Sequence, residues 1–231
     1  MADLVTWGLV PVKRLSRAKR RLGDTLSGDE RLRLAKAMLL DVLKNLTEAT
    51  ALAGIVVVTA DPQVCATARS FGVATIFDPS ESGVNEAVQR GLDVLLPDAR
   101  RVLVVPADIP FAKPSEFDAL VELLDYNPVV IAPALSDGGT NALAMRSADL
   151  IPPQFGENSF ALHRAVAHER HLCCGVLRSA GIGRDIDRIT DFGPYLTSTA
   201  DTGCTSALIK ELGLAERCGA KAAPVPSRLL L

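Results

Sequence analysis

Arg101–Pro110, RVLVVPADIP, is the stretch whose reading decides the fold. Val102, Leu103, Val104 and Val105 form an unbroken apolar run, which suits a strand buried on both faces of a parallel sheet. Pro106 cannot donate to a sheet ladder, so the strand is expected to stop there. Asp108 then stands just beyond the carboxyl end of the strand, where open α/β sheets place their ligands. A carboxylate in that position can hold a hard cation such as Mg²⁺. Asp-x-Pro is also ordinary turn chemistry, so on this stretch alone a capping aspartate is the competing reading.

The same pattern recurs on both sides. Leu4–Val12 reads as the first strand, and a basic loop, Lys13–Arg21, KRLSRAKRR, follows it with six cations in nine residues. Such a loop at the ligand edge is a natural phosphate site; a solvated basic surface is the bland alternative. Asp29–Ala49 carries apolar residues at helical spacing, with Ser27 or Asp29 to cap it. Gly54–Ala60 is a second buried strand ending at Asp61-Pro62, Val64–Phe71 a short helix, and Val73–Phe77 a third strand ending at Asp78-Pro79. This β-α-β-α-β rhythm predicts a right-handed parallel half. There is neither a phosphate-loop motif GxxxxGK[ST] nor a well-placed GxGxxG.

Ser82–Leu96 is expected to be a helix with Gly83 and Asn85 in its first turn, and Asn85 could read a base or ribose or simply cap. A helix from Pro114 to Leu124 follows the central strand. The second half is less regular. Val129–Leu135 and Asn141–Arg146 read as strands around the glycine turn Ser136–Thr140, whose Thr140 hydroxyl and free N–H groups suit an anion or merely close a hairpin. Phe155–Ser159, FGENS, leads into a helix running to about His168, with Ser159 as an N-cap. Leu172–Leu177 is a short strand, and Gly183–Asp187, GRDID, sets Asp185 and Asp187 on one face if extended. Thr190–Tyr195 begins a last helical region and Thr205–Leu214 is its clearest helix.

Composition narrows the classes. The chain has 231 residues, a formal net charge of −2, 48% hydrophobic residues and 4% aromatics, which fits one α/β domain and gives no global pull toward nucleic acid or a membrane. Five cysteines without a CxxC read as reduced thiols in a cytoplasmic protein, and neither a membrane-spanning run nor a secretory leader is visible. His163, His168, His171, Cys173 and Cys174 lie close in sequence, but their spacing matches no zinc pattern, and there is no GxSxG elbow for a hydrolase. Two acids, Mg²⁺ and a basic loop are the equipment for transferring a phosphorus-linked group. An anionic nucleophile would need no general base, in keeping with the lack of an obvious one.

Taken in order, PVK…AKRRL, GVNEAV, PADIP, DGGTNAL, FGENSF and GRDID resemble the 2-phospho-L-lactate guanylyltransferase family. That family includes the phosphoenolpyruvate and 3-phospho-D-glycerate guanylyltransferases, which make an activated precursor of a deazaflavin coenzyme. The resemblance runs to about residue 213. It implies a single-domain, Rossmann-like nucleotidyltransferase of the glycosyltransferase-A type, with a mixed, mostly parallel sheet flanked by helices over 1–217 and a tail over 218–231. It further implies GTP and a small phosphorylated carboxylic acid as substrates, with no nucleic acid or membrane partner. Lys13 is then the main phosphate lysine, helped by Arg14, Lys19 and Arg20, and Asn85 a guanosine contact. Asp108 and Asp187 are the implied Mg²⁺ ligands, with Asp185 the substitute for the second, and Thr140, Gly156 and Ser159 are the acceptor binders. The stretch GRDIDRITDF departs from the usual Asp-x-Asp-Thr-Pro-x-Asp, with Arg188 and Ile189 in the Thr-Pro places. Two alternatives are kept: a nucleotidyltransferase acting on a sugar phosphate or molybdopterin, and a non-catalytic nucleotide-binding module. The assembly is left open, a homodimer being one option.

Overall fold

A computed structural model describes residues 5–96, 101–193 and 203–217. The run centred on Val104 does form the middle of a sheet. Seven strands, β1 Thr6–Pro11, β2 Gly54–Thr59, β3 Ala74–Phe77, β4 Arg101–Val104, β5 Val129–Pro133, β6 Thr140–Met145 and β7 Cys174–Val176, lie in the order β3-β2-β1-β4-β6-β5-β7. All neighbours are parallel except at β6, which runs against both β4 and β5. The α/β class and the mostly parallel, mixed sheet are therefore as expected.

Side-chain alternation splits the core in two. Val10, Val57, Leu103, Val130 and Ala144 face the layer of α1 Gly28–Glu48, α2 Pro62–Ser70, α4 Pro114–Leu123 and α6 Cys204–Glu211. Leu9, Val58, Val104, Ile131 and Leu143 face α3 Val84–Leu95 and α5 Ser159–Glu169. A four-residue helix, α7 Leu214–Arg217, ends the described chain. Every residue of β4 is buried, which is why its sequence is uniformly apolar after Arg101.

Local chemistry sets the element ends. Ser27 and Glu30 form a reciprocal capping box at the start of α1, and the Asp61 carboxylate caps α2 while also accepting the Leu15 backbone N–H at 2.9 Å. Asp61 thereby fastens the basic loop to the end of β2. The Asp41 carboxylate, midway along α1, accepts the first N–H groups of α6 from Cys204 and Thr205 at 2.8 and 2.7 Å. Several elements are shorter than the sequence suggests. α3 opens at Val84 because Gly83, at φ 151°, holds a backbone few side chains tolerate. β7 keeps only three residues, the length of its pairing with β5. Residues 184–187 form no strand. Ile189–Phe192 is a 3₁₀ turn; the part of the expected Thr190–Tyr195 stretch beyond residue 193, like the proposed 218–231 tail, lies outside the described residues, and the helix expected over Thr205–Leu214 is α6. Among the described residues no helix is long and apolar enough to cross a membrane.

α3 approaches the sheet so closely that only glycine fits at Gly91. A Cβ there would stand 2.3 Å from Leu9 Cδ1 and 3.0 Å from Val58 Cγ2. Gly91→Ala is expected to destabilise the protein by about 1–3 kcal/mol, the cost of overpacking. A lowered midpoint of urea unfolding at unchanged slope checks this; an unchanged midpoint would mean that α3 is not held against β1 and β2.

Candidate active site at the carboxyl edge of the sheet

Strands β1 and β4 end side by side, and their following loops supply the charged centre. The basic loop folds into two 3₁₀ turns, Leu15–Arg17 and Arg20–Leu22, with Leu15 and Leu22 buried as anchors. Lys19 lies between the turns in the left-handed conformation, at φ 53° and ψ 39°, which an L-residue adopts only when its surroundings impose it. Its ammonium donates to Asp108 Oδ2 at 3.0 Å and to Asp187 Oδ1 at 2.8 Å. The Lys19 side chain is 7% exposed, whereas the two acids are 30% and 36% exposed and open toward solvent. Arg21 adds a longer contact to Asp187 Oδ2 at 3.4 Å.

Asp187 reaches this point through the backbone. The Ile186 N–H donates to the Asp108 carbonyl at 3.0 Å, and the fully buried Ile182 and Ile186 anchor the segment on both sides. Asp191 accepts the N–H groups of Asp187 and Arg188 and closes the turn. Asp185 turns aside and accepts from Asn141 Nδ2 at 3.1 Å, while Asn141 also donates to the Ile182 carbonyl.

The electrostatics follow from this packing. Burial alone would lower the Lys19 pKa, but the Asp108 and Asp187 charges outweigh it and hold the ammonium above the ordinary lysine value. Burial would likewise raise Asp187, and the Lys19 charge beside it outweighs that and keeps its carboxyl below the usual range. Asp185 has no cation of its own. Burial pushes it up to about 6 against its Asn141 hydrogen bond, with the Asp108 charge adding to the rise. Asp108 and Asp187 thus share one cation, and Asp185 does not.

Two hard carboxylates already gathered on a shared positive charge fit a divalent cation of the Mg²⁺ kind. Mg²⁺ is commonly held by one or two carboxylates plus substrate phosphates rather than by a protein cage. No three His, Cys, Asp or Glu side chains form a group that could hold a metal ion among the described residues.

None of the remaining predicted site residues bonds to this pair among the described residues. Lys13 and Arg20 are exposed and make no ion pair among the described residues. Arg14 is instead paired with Glu81, its Nε 2.5 Å from Oε1, and Arg17 reaches the other oxygen at 3.0 Å. Asn85 exchanges both hydrogen bonds with the Phe155 backbone, accepting its N–H at 2.7 Å and donating to its carbonyl at 3.1 Å. It braces the start of α3 against the FGENS loop and retains one N–H and one lone pair for a ligand. Thr140 heads β6, Gly156 turns the loop at φ 130°, and Ser159 opens α5.

Three residues gain weight from the structure. Lys19, a secondary candidate by sequence, is the centre of the charge cluster. Glu81 ties the β3–α3 loop to the basic loop, and no local pattern in the sequence marks it. His163, set aside with the zinc pattern, is fully buried and joins Thr140 to the backbone of Gln154. Its place four residues after Ser159 was the available signal.

This is the fold of nucleotidyl transferases. A putative nucleotide-diphospho-sugar transferase from Desulfovibrio desulfuricans G20 superposes with a TM-score of 0.76 at 18% identity, over 92% of this chain and 97% of that one. A nucleotidyl transferase from Methanothermobacter thermautotrophicus follows at 0.59 and 17%, over 83% and 95%. Within that class the chain belongs to the guanylyl transferase family: the family model described as "Guanylyl transferase CofC like" matches residues 6–221. Phosphoenolpyruvate guanylyltransferase of Sphaerobacter thermophilus is 39% identical over 204 residues, 88% of this chain and 98% of the relative. The 2-phospho-L-lactate guanylyltransferase of Methanothermobacter thermautotrophicus is 36% identical over 83% and 84%. The 3-phospho-D-glycerate guanylyltransferase of Phenylobacterium zucineum is 36% identical over 75% and 82%.

The buried imidazole makes a pH prediction. Burial, only partly opposed by a hydrogen bond to the Ser159 carbonyl, lowers the His163 pKa to about 4, against about 6.5 in an unfolded chain. The unfolded state therefore takes up this proton first as the pH falls. The stability attached to neutral His163 is intact above about 6.5 and declines toward pH 4, by up to about 3 kcal/mol. In urea titrations across this range the wild type should lose stability more steeply than His163→Gln. Parallel pH dependences would show that His163 titrates normally in the fold.

Proposed function

We propose that the protein transfers the guanylyl group of GTP to the phosphate of a small phosphorylated three-carbon acid and releases pyrophosphate, as a step toward a deazaflavin coenzyme. The observation that carries this reading is the Asp108–Lys19–Asp187 cluster beside an exposed basic loop, in a chain of the guanylyl transferase family. Lys13 and Arg20, free of ion pairs among the described residues, hold the β- and γ-phosphates. Arg14 and Arg17 stand beside them, poised by Glu81, and Asn85 contributes to the nucleoside end. Thr140, Gly156 and Ser159 bind the acceptor.

Asp108 and Asp187 would hold Mg²⁺, which when bound withdraws charge from phosphate oxygens; Asp185 stays with Asn141. An anionic oxygen of the acceptor phosphate attacks the α-phosphorus of GTP. The bond from that phosphorus to the bridging oxygen breaks, and pyrophosphate leaves with the electron pair. No proton has to be removed from the nucleophile, so the site needs no general base. Lys19 and the basic loop provide fixed positive charge for the leaving pyrophosphate, in a position set before substrate arrives. The free thiols Cys65, Cys173, Cys174 and Cys204 suit a cytoplasmic setting.

Asp108→Asn keeps the shape of the side chain and removes its charge. With GTP, Mg²⁺ and each of phosphoenolpyruvate, 2-phospho-L-lactate and 3-phospho-D-glycerate, pyrophosphate release should fall by about 100-fold or more while the thermal unfolding curve stays cooperative. Turnover close to that of the wild type would remove Asp108 from the metal site. Chelation of divalent cations should silence the wild type, and added Mg²⁺ should restore it; activity persisting in chelator would refute the metal requirement.

A further inference from the structure

His163 has no part in the reaction as derived above, yet it is a polar ring placed where an apolar side chain would pack. It is 0% exposed on the inner side of α5, with Phe155 edge-on to the ring at 5.1 Å between centroids. A buried polar group is costly unless its hydrogen bonds are specified, and these are. The Gln154 backbone N–H donates to Nε2 at 2.9 Å. A backbone N–H can only donate, so Nε2 carries no proton. The single proton of the neutral ring is then on Nδ1, which lies 3.0 Å from Thr140 Oγ1.

In that bond the Thr140 oxygen accepts. Its own hydroxyl hydrogen has no acceptor among the described residues. Ser159 is in the same condition: its Oγ is buried, with no hydrogen-bond partner. Thr140 is tied to the ring through Nδ1. A hydroxyl left with its hydrogen to donate matches a ligand rich in anionic oxygens.

We infer that His163 is the positioning residue that fixes the Thr140 hydroxyl as a hydrogen-bond donor to an anionic oxygen of the phosphorylated acid. The identity of that ligand rests on the function proposed above; the orientation of the hydroxyl rests on the Gln154–His163–Thr140 chain. The imidazole does not touch the acceptor. It removes the option of Thr140 donating inward, so that the hydroxyl meets an anion with its hydrogen and not its lone pairs.

Two measurements test this. Long-range ¹H–¹⁵N spectra of the wild-type chain at pH 7 should show His163 neutral, with the proton on Nδ1 and a bare Nε2. The Nδ1 signal should move when the turned-over phospho-acid is added. In steady-state kinetics, His163→Leu should raise the acceptor KM about tenfold with the GTP KM unchanged. His163→Asn, which keeps a donor near the Nδ1 position, should recover part of that loss. In a Thr140→Val background, His163→Leu should add less than about twofold, because its route of action is already gone. A proton on Nε2, a ring unmoved by the phospho-acid, equal increases in both KM values, or full additivity with Thr140→Val would each overturn the inference while leaving the proposed function standing. The spectra decide the matter if the leucine variant does not fold. A wild type inert with all three phospho-acids would overturn the function, and this inference with it.

Discussion

Two carboxylates cannot share a few ångströms of a sheltered edge without a positive charge between them, and here that charge is Lys19. Its ammonium joins Asp108, which follows β4, to Asp187, which arrives late in the chain. The contact explains features that look unrelated. It holds Lys19 in a left-handed backbone conformation, and with the Ile186–Asp108 backbone bond it pins the GRDID segment at the end of β4. It also directs oxygens of both acids at one point. An ion pair this sheltered is poor evidence of stability for its own sake, since desolvation offsets much of the attraction. Under the proposed function, a site that receives a cation and several phosphates gives such an arrangement its use.

The strand order explains how two substrates meet there. β1, β2, β3 and β4 are parallel, so their carboxyl ends deliver the basic loop, Asp61, Glu81 and Asp108 to one edge. β6 runs the other way, so its first residues, Thr140 and Asn141, come to that same edge. One reversed strand thus brings Thr140 and Asn141 to the edge that carries the basic loop and Asp108, without a second domain. Asn85 and the Phe155 backbone close the seam between the halves, and His163 joins Thr140 to the Gln154 backbone.

Much of this was legible from local pattern. The apolar run over Val102–Val105, the Pro106 stop and the β-α-β-α-β rhythm announce the parallel half, because buried parallel strands leave a composition that survives without tertiary context. Asp108 could be singled out by its position after the central strand, whereas the GRDID pattern leaves Asp185 and Asp187 open and only the family resemblance favours Asp187. Ranking the cations could not be done that way. Lys13 and Lys19 are equivalent in a basic run, and only the two 3₁₀ turns decide which one turns inward. The roles of Glu81 and His163 were hidden too. Each depends on a partner far along the chain, Arg14 for one and Thr140 for the other, and no spacing rule connects them. The strand ends shifted where pairing partners, not propensity, set the length, as in β7.

The account stands on formation of a new phosphorus–oxygen–phosphorus bond between the acceptor phosphate and the guanylyl group. ³¹P NMR of the wild-type protein with GTP, Mg²⁺ and each phospho-acid observes that bond directly. For one of the acids, a pair of mutually coupled diphosphate doublets should grow as the acceptor phosphate signal disappears, with pyrophosphate appearing in equal amount. GTP broken down to GMP and pyrophosphate without those doublets, or GTP left intact beside all three acids, would contradict it.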